Sequence, residues 1–418
     1  MKKSSHNLLC IDMAYTFKTI KSTNRKNFCN SRHFLGIFDK VYAIHPLADI
    51  ANSEYKAGYD FYRLSPKQLI IEGGAFVSEL PRLFRPIDFF LSQAKFLIYI
   101  KRIVHKRNIS AIYATDPYYS GLLGLILKIL TGKKLVVLVA GNYDEIYEAT
   151  GTLAYPKLFR FRFIENIVAR IVLTFSDLVA GGNENNRRCA INHGAKPSRS
   201  TVFASAAILT DQLHRASIED RDYSLLNNIY KKTLSKNNII LLVIGRLMEL
   251  KLPKDALLAM EIILKKNPNA VGIFAGDGPL LEEMTDFVNS NGLRGKINFI
   301  GNIDQQTLSA LIPNSIVLSP LTGLALIEAG LGGAAIVAYN RDWQPDFIED
   351  GVDGYIVPFR DYQAMAEKAI LLMNNQVLRK QFSERIRKKS LEITHLPDVK
   401  KHFYLQWARV LELNNEAE

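Results

Sequence analysis

Apolar and polar positions along this chain alternate in two rhythms. Short apolar runs predict strands at Leu8–Met13, Lys40–Ile44, Ile109–Thr115, Lys134–Ala140, Asp177–Ala180 and Thr201–Ala204. Longer amphipathic runs between them predict helices, among them Pro86–Lys106, Tyr118–Leu130 and Lys157–Leu173. From Asn238 the alternation becomes more regular. Strand Ile239–Gly245 leads to helix Lys254–Lys266, strand Ala270–Ala275 to helix Leu280–Asn291, and strand Ile297–Ile300 to helix Gln305–Ile312. A further strand ends at Ser319-Pro320, and Thr322-Gly323 turn into a short helix carrying Glu328. Gly332-Gly333 break that helix before a buried strand, Ala335–Tyr339. A last short strand, Tyr355–Val357, precedes helices to the end. Strand–helix alternation of this kind predicts parallel sheets with helices on both faces, with ligands at the C-terminal ends of the strands.

The polar stretch 205–238 separates the two rhythms. It contains Asp220-Arg221-Asp222, by letter a metal-binding DxD, but no apolar strand delivers it, so it reads as a solvated linker. The division is therefore a first domain over 1–205, a linker over 206–238 and a second domain over 239–399. A C-terminal helix over about 400–418 can pack back on the first. A chain of 418 residues, 48% hydrophobic, is long enough for two such cores.

Charge sharpens the division. Residues 1–205 hold 29 Lys and Arg against 15 Asp and Glu, a net of +14; residues 206–418 come to −2. Such asymmetry points to a polyanionic surface met by the first half alone. The run Phe84–Arg107 mixes aromatics with Lys95, Lys101, Arg102, Lys106 and Arg107, and Tyr155–Arg170 repeats the mixture with Lys157, Arg160, Arg162 and Arg170. These runs read either as helices lying on an anionic membrane or as half-buried helices with a solvated basic face. No recognisable nucleic-acid module accompanies the charge, so no nucleic-acid partner is expected. Cys10, Cys29 and Cys189 are far apart and odd in number, which favours a reducing compartment without disulfides. No signal-peptide pattern and no run of about 18 apolar residues is found. The expected location is cytoplasmic.

Several chemistries lack their signatures: there is no GxSxG, HExxH, CxxC pair or GxxxxGK[ST], and the eight histidines show no zinc spacing. Instead, turns and cations recur at successive strand ends. Arg246 follows the first strand of the second half, with Lys251 five residues on; this loop can hold a diphosphate, Arg bidentately and Lys as a point charge. Gly276-Asp277-Gly278 ends the second strand and Gly301 the third. Gly323 opens the helix of Glu328, whose N-terminus favours an anion. Any single βαβ unit of this kind is equally an ordinary packing unit; four in succession are less easily explained so.

The segments GRLMELK, AGDGP, INFIGN, ALIEAGLGGAAIVAYN and FIEDGVDGYIVPFRD come in an order and spacing similar to the donor-binding domain of retaining GT-B glycosyltransferases, in the family-four branch that builds cell-surface polysaccharides and lipopolysaccharides. The resemblance covers roughly 239–375. It implies an α/β GT-B fold, two Rossmann-like domains facing each other across a cleft, with the acceptor bound by the first and the nucleotide-sugar by the second. It also implies that Arg246 and Lys251 grip the donor diphosphate, that the backbone of Gly323, Leu324 and Ala325 meets its distal phosphate, that Glu328 bonds both ribose hydroxyls, and that Gly301 and Asn302 hold the base. No metal or cofactor is implied, the donor being a UDP- or GDP-sugar.

The family has two glutamates with seven residues between them, and the first falls on Pro320. Its first-domain histidine also has no clear counterpart; Asn142 and Asp144 stand where it is expected and are the candidate catalytic residues. The reading is a glycosyltransferase, retaining by resemblance, transferring to a glycan or lipid-linked acceptor as a peripheral protein at the inner membrane face. Pro320 motivates the alternative, a non-catalytic nucleotide-sugar-binding scaffold subunit of a glycan assembly complex. A nucleotide-sugar 2-epimerase of the same fold needs acidic and histidine residues that are not found.

Overall fold

The computed structural model describes residues 6–22, 36–52, 58–76, 85–156, 158–204, 212–226 and 239–412. The chain divides into two compact units, one of residues 1–147, 151–205 and 396–418, the other of 148–150 and 206–395.

The first unit carries β1 (Asn7–Ile11), β2 (Lys40–His45), β3 (Tyr59–Ser65), β4 (Gln68–Gly73), β5 (Ile109–Ala114), β6 (Lys134–Val139), β7 (Leu178–Gly181) and β8 (Ser200–Val202). They form one sheet in the order β3-β4-β2-β1-β5-β6-β7-β8. Every pair is parallel except β3 with β4, which is antiparallel. The sequence pattern predicts neither β3 nor β4, and the expectation of a purely parallel sheet is corrected at this edge. β3, YDFYRLS, buries only Leu64, so its apolar signal is too thin to read. The helices are α1 (Phe17–Ser22), α2 (Ala48–Asn52), α3 (Arg85–Lys106), α4 (Tyr119–Thr131), α5 (Tyr143–Thr150), α6 (Arg162–Phe175) and α7 (Glu184–Asn192). α6 starts later than the predicted Lys157, because Phe161 is extended and caps it; Lys157 itself lies outside the described residues, as do Phe84 and Cys29.

The second unit carries β9 (Ile239–Ile244), β10 (Ala270–Ala275), β11 (Ile297–Gly301), β12 (Ser315–Ser319), β13 (Ala335–Tyr339) and β14 (Tyr355–Val357), all parallel, in the order β11-β10-β9-β12-β13-β14. β10, β12 and β13 are buried at every residue, as continuous apolar runs demand when helices cover both faces. Those helices are α8 (Pro253–Lys266), α9 (Leu281–Ser290), α10 (Gln305–Leu311), α11 (Leu324–Gly332), α12 (Gln344–Phe347), α13 (Tyr362–Asn374) and α14 (Gln376–Ile393). Side-chain caps fix several of their starts: Asp304, Asp361 and Asn375 each accept from an N–H in the first turn.

The expectation of a solvated linker is corrected over 212–226, which packs on the second unit. Arg221 is buried and donates to the carbonyls of Ser309 (2.5 Å) and His214 (3.1 Å), while buried His214 meets Gln305 at 2.6 Å. Asp220 and Asp222 stay exposed, and Asp222 accepts from the Ser224 N–H at 3.0 Å. The rest of the stretch, 205–211 and 227–238, lies outside the described residues. The last helix, α15 (Leu396–Leu411), belongs to the first unit although it follows the second in sequence. Fully buried Trp407 meets Phe38 edge-on at 4.9 Å, and Phe403 stacks on Phe203 at 4.3 Å.

Candidate functional site

In the second sheet the chain winds outward from β9 through β10 to β11, then crosses back to β12 and winds the other way through β13 to β14. The direction of winding therefore switches between β9 and β12. Loops leaving the C-terminal ends of two such strands diverge and open a crevice. The loop after β9 carries Arg246 and Lys251. The loop after β12 carries Gly323 and leads into α11.

Arg246 is exposed. Lys251 is half-buried and ends a one-turn 3-10 helix, Glu249–Lys251, whose next residue, Leu252, takes a left-handed φ of 50°. Burial lowers the Lys251 pKa, the nearby Arg246 cation adds to this, and Asp342 beyond the end of β13 opposes it. Two cations thus crowd one place with partial desolvation, an arrangement that an incoming dianion relieves.

α11 begins at Gly323 with no side-chain cap and no acidic residue in its first turn, so the positive end of its dipole is not neutralised by its own sequence. The turn before it is rigidly held. Ser319 Oγ meets Thr322 Oγ1 at 2.5 Å and donates to Gln344 Oε1 at 2.6 Å; Gln344 Nε2 donates to the carbonyls of Pro320 and Tyr339, both at 3.1 Å. Gln344 is fully buried. Glu328 is buried one turn inside α11, on the same side as Leu324 four residues earlier. Behind this, the β9 and β10 loops interlock. The Leu247 N–H donates to the Asp277 carbonyl at 2.9 Å, and a Cβ at Gly276 would lie 1.9 Å from the Gly245 carbonyl oxygen. Gly276 (φ +153°) and Gly278 are therefore scaffold glycines that let the Arg246 loop sit down on its neighbour.

Arg246, Lys251, Gly323, Leu324, Ala325 and Glu328 all belong to these two adjacent strand ends. Gly301 (φ +68°) ends β11, two strands away, and Asn302 beside it is exposed.

Asn142 and Asp144 belong to the first unit, on the turn from β6 into α5. Asn142 caps α5 by accepting from the Glu145 N–H at 3.3 Å, and its Nδ2 donates to Glu145 Oε1 at 2.8 Å. Both Asp144 oxygens are engaged: Oδ1 with Arg162 at 2.7 Å, Oδ2 with His193 Nε2 at 2.6 Å. The His193 hydrogen bond, with Arg162 helping, holds the Asp144 carboxyl down to about 2; the same bond lifts His193 to about 9. Asp144 thus ties α5 to α6 and α7 by two ion pairs. Arg162 extends the network to Glu165 (3.0 Å) and to the Tyr118 hydroxyl (3.2 Å). His193 is missing from the sequence reading: it stands 49 residues from Asp144, in a helix-ending Asn192-His193-Gly194 that carries no motif.

Comparison with known proteins bears on the second unit most directly. Residues 227–389 match the model of the family described as glycosyl transferases group 1. The chain is 23% identical over 269 residues to the poly(ribitol-phosphate) alpha-N-acetylglucosaminyltransferase of Staphylococcus aureus, 61% of this chain and 53% of that one. It is 31% identical over 180 residues to an undecaprenol-linked alpha-1,4-N-acetyl-D-galactosaminyltransferase of Campylobacter jejuni, 40% of this chain and 48% of that one. It thus spans about half the length of these relatives. Among solved structures, Anabaena HepE in complex with UDP superposes with a TM-score of 0.71 at 14% identity, covering 97% of this chain and all of that one. The fold is the two-unit α/β fold of GT-B glycosyltransferases.

Proposed function

We propose that the chain is a metal-independent glycosyltransferase that moves a sugar from a UDP- or GDP-sugar to a glycan or lipid-linked acceptor in cell-surface polysaccharide or lipopolysaccharide biosynthesis, working at the inner membrane face. The observation that carries this reading is the pairing of Arg246 and Lys251 with the uncapped start of α11 at the switch point between β9 and β12. Cations and a helix N-terminus together are suited to a nucleoside diphosphate, and they neutralise it as it leaves. Further support comes from the family match over the same residues and from relatives whose names describe sugar transfer to a poly(ribitol-phosphate) and to an undecaprenol-linked glycan.

In this reading Glu328 accepts both ribose hydroxyls, Gly301 and Asn302 hold the base, and the Leu324 and Ala325 N–H groups meet the distal phosphate. The acceptor hydroxyl attacks the anomeric carbon on the face from which the diphosphate departs. The sugar–phosphate C–O bond breaks, the new glycosidic C–O bond forms, and a diphosphate oxygen takes the hydroxyl proton. Configuration is retained. Asn142 and Asp144 stand on the acceptor side, Asp144 through the Arg162 and His193 that it positions.

Pro320 favours the second reading, a nucleotide-sugar-binding subunit without transfer. No carboxylate stands at that place; its carbonyl is tied to Gln344 instead. Thermal melting with UDP, GDP, ADP and CMP tests the donor site. A ligand at about 100 times its dissociation constant stabilises by about 2.7 kcal/mol. A shift with one diphosphate, followed by NMR of the product anomer from its nucleotide-sugar, supports the enzyme. A shift without turnover on any glycan or lipid-linked acceptor leaves the binding subunit, and no shift removes both.

A further inference from the structure

One face of the first sheet is covered by α3, α4 and α6, with α4 packed between the other two. Their inward side chains close the core: Phe96, Ile100 and Val104 from α3, Leu123 and Leu127 from α4, Val172 from α6. A Cβ at Gly121 of α4 would lie 2.6 Å from Val172, so α4 and α6 sit flush, and of α4 only Ile129 and Leu130 are exposed.

That outer surface is apolar. On α6, Phe163, Ile167, Ile171 and Phe175 recur every four residues and are 61%, 54%, 45% and 58% exposed. One stripe more than three turns long therefore faces away from the core, where a surface helix ordinarily carries charge. On α3, Ile87, Phe90, Leu91 and Ile98 are 53–71% exposed, and Ile129 at the end of α4 is 76% exposed.

The charges on these helices are sorted by sign. Their two acids, Asp88 of α3 and Glu165 of α6, are buried, and α4 has none. Arg85, Lys95, Arg102, Lys106 and Arg170 are exposed. So among the described residues of the three helices, every exposed position except His105 is apolar or cationic, and none is acidic.

We propose that this outer face of α3, α4 and α6 docks on an anionic lipid bilayer, with the α6 stripe entering the boundary between headgroups and acyl chains and Arg102, Lys106 and Arg170 meeting lipid phosphates. The proposal rests on the reading above that the acceptor is met at a membrane, and it names the surface that does so. No helix of the described residues is long and apolar enough to cross a membrane, so the helices lie in the plane. A second copy of the chain is the poorer occupant, because a two-fold contact through this face sets cations against cations. A protein partner would ordinarily meet a patch depleted of lysine, not edged with it.

The test is flotation of the full chain with phosphatidylcholine vesicles, with and without phosphatidylglycerol, at low and high salt. The parent is expected to float with the anionic vesicles. The triple change Phe163→Ser, Ile167→Ser, Ile171→Ser should lower partitioning about tenfold or more at both salt concentrations. Neutralising Arg102, Lys106 and Arg170 to Gln should cost about fivefold per cation at low salt and little at high salt. Both variants alter exposed positions, and a melting curve like the parent's shows that they fold. Parental partitioning of the folded triple variant overturns the proposal. So does light scattering that finds a dimer which the triple variant splits. Because UDP binding is measured separately, a vesicle result of either sign leaves the donor reading to its own experiment.

Discussion

Lys251 is held half-buried beside Arg246, and its ammonium loses its proton more readily than an ordinary lysine because burial and the neighbouring cation both act against it. A bound diphosphate reverses that bias by returning negative charge to the crevice. UDP binding in alkaline buffer is therefore expected to take up protons, and affinity should fall as pH rises, at a lower pH than an ordinary lysine would dictate. Calorimetry in two buffers of different ionisation enthalpy reads the uptake; equal apparent heats would rule out this role for Lys251. Lys251→Ala should abolish the uptake and weaken UDP by about 1.5–3 kcal/mol, the scale of a lost charged hydrogen bond. Glu328→Gln should weaken UDP while sparing pyrophosphate, which has no ribose; equal losses for the two ligands would remove Glu328 from the sugar. The place of these residues is legible in the sequence because each follows its own strand end by fewer than ten positions, while the donor roles proposed for them come from the family resemblance. The Asp144–His193 pair is not, because its members come from different βα units and only the packing of α5 against α7 brings them to 2.6 Å.

Among elements, that same pair carries a stability signature. The His193 pKa is raised from 6.5 to about 9, so its contribution is complete below 6.5 and is lost as pH climbs towards 9. The Asp144 pKa is lowered from 3.8 to about 2, so its contribution is complete above 3.8 and is lost as pH falls towards 2. The junction of α5, α6 and α7 should accordingly be most stable between these limits, and His193→Gln should flatten the alkaline decline. A melting temperature that falls just as steeply between pH 6.5 and 9 in the variant would show that His193 is not the titrating group. In the second unit, the β9 and β10 loops depend on glycine. Gly276→Ala forces a Cβ against the Gly245 carbonyl and should cost about 1–3 kcal/mol, an overpacking penalty, as read from the melting midpoint. The strands that frame these loops are legible because buried parallel strands are unbroken apolar runs. β3 is not, since an exposed edge strand has no reason to be apolar, and β4 is missed because its buried run QLIIEG holds only three consecutive large apolar residues between Gln68 and Glu72. The helical pattern before Arg162 misleads for a related reason: Phe161 adds an exposed apolar position ahead of the helix, where periodicity no longer reports a core.

For the whole molecule, the order of the chain and the membership of its units differ. α15 follows the second unit yet completes the first, where Trp407 is fully buried against Phe38 and Phe403 stacks on Phe203. Periodicity shows that a helix ends the chain, and its packing on the first unit is expected, but its particular partners lie 200 residues or more away, beyond what local spacing can encode. Trp407→Ala should remove about 3–5 kcal/mol, the range for a large aromatic deleted from a core. That loss should fall on the first unit, to which α15 belongs and which supplies the rings that Trp407 meets among the described residues, Phe38, Tyr113 and Phe203. Hydrogen exchange followed by mass spectrometry separates the units by peptide. Peptides from β5 to β8 should exchange faster in the variant, those from β9 to β14 should not, and UDP should still protect the latter. Faster exchange across β9 to β14 would mean that the two units unfold together and that α15 stabilises both. Protection by UDP confined to the second unit, with the first loosened, would instead assign donor binding to a unit whose stability does not depend on α15.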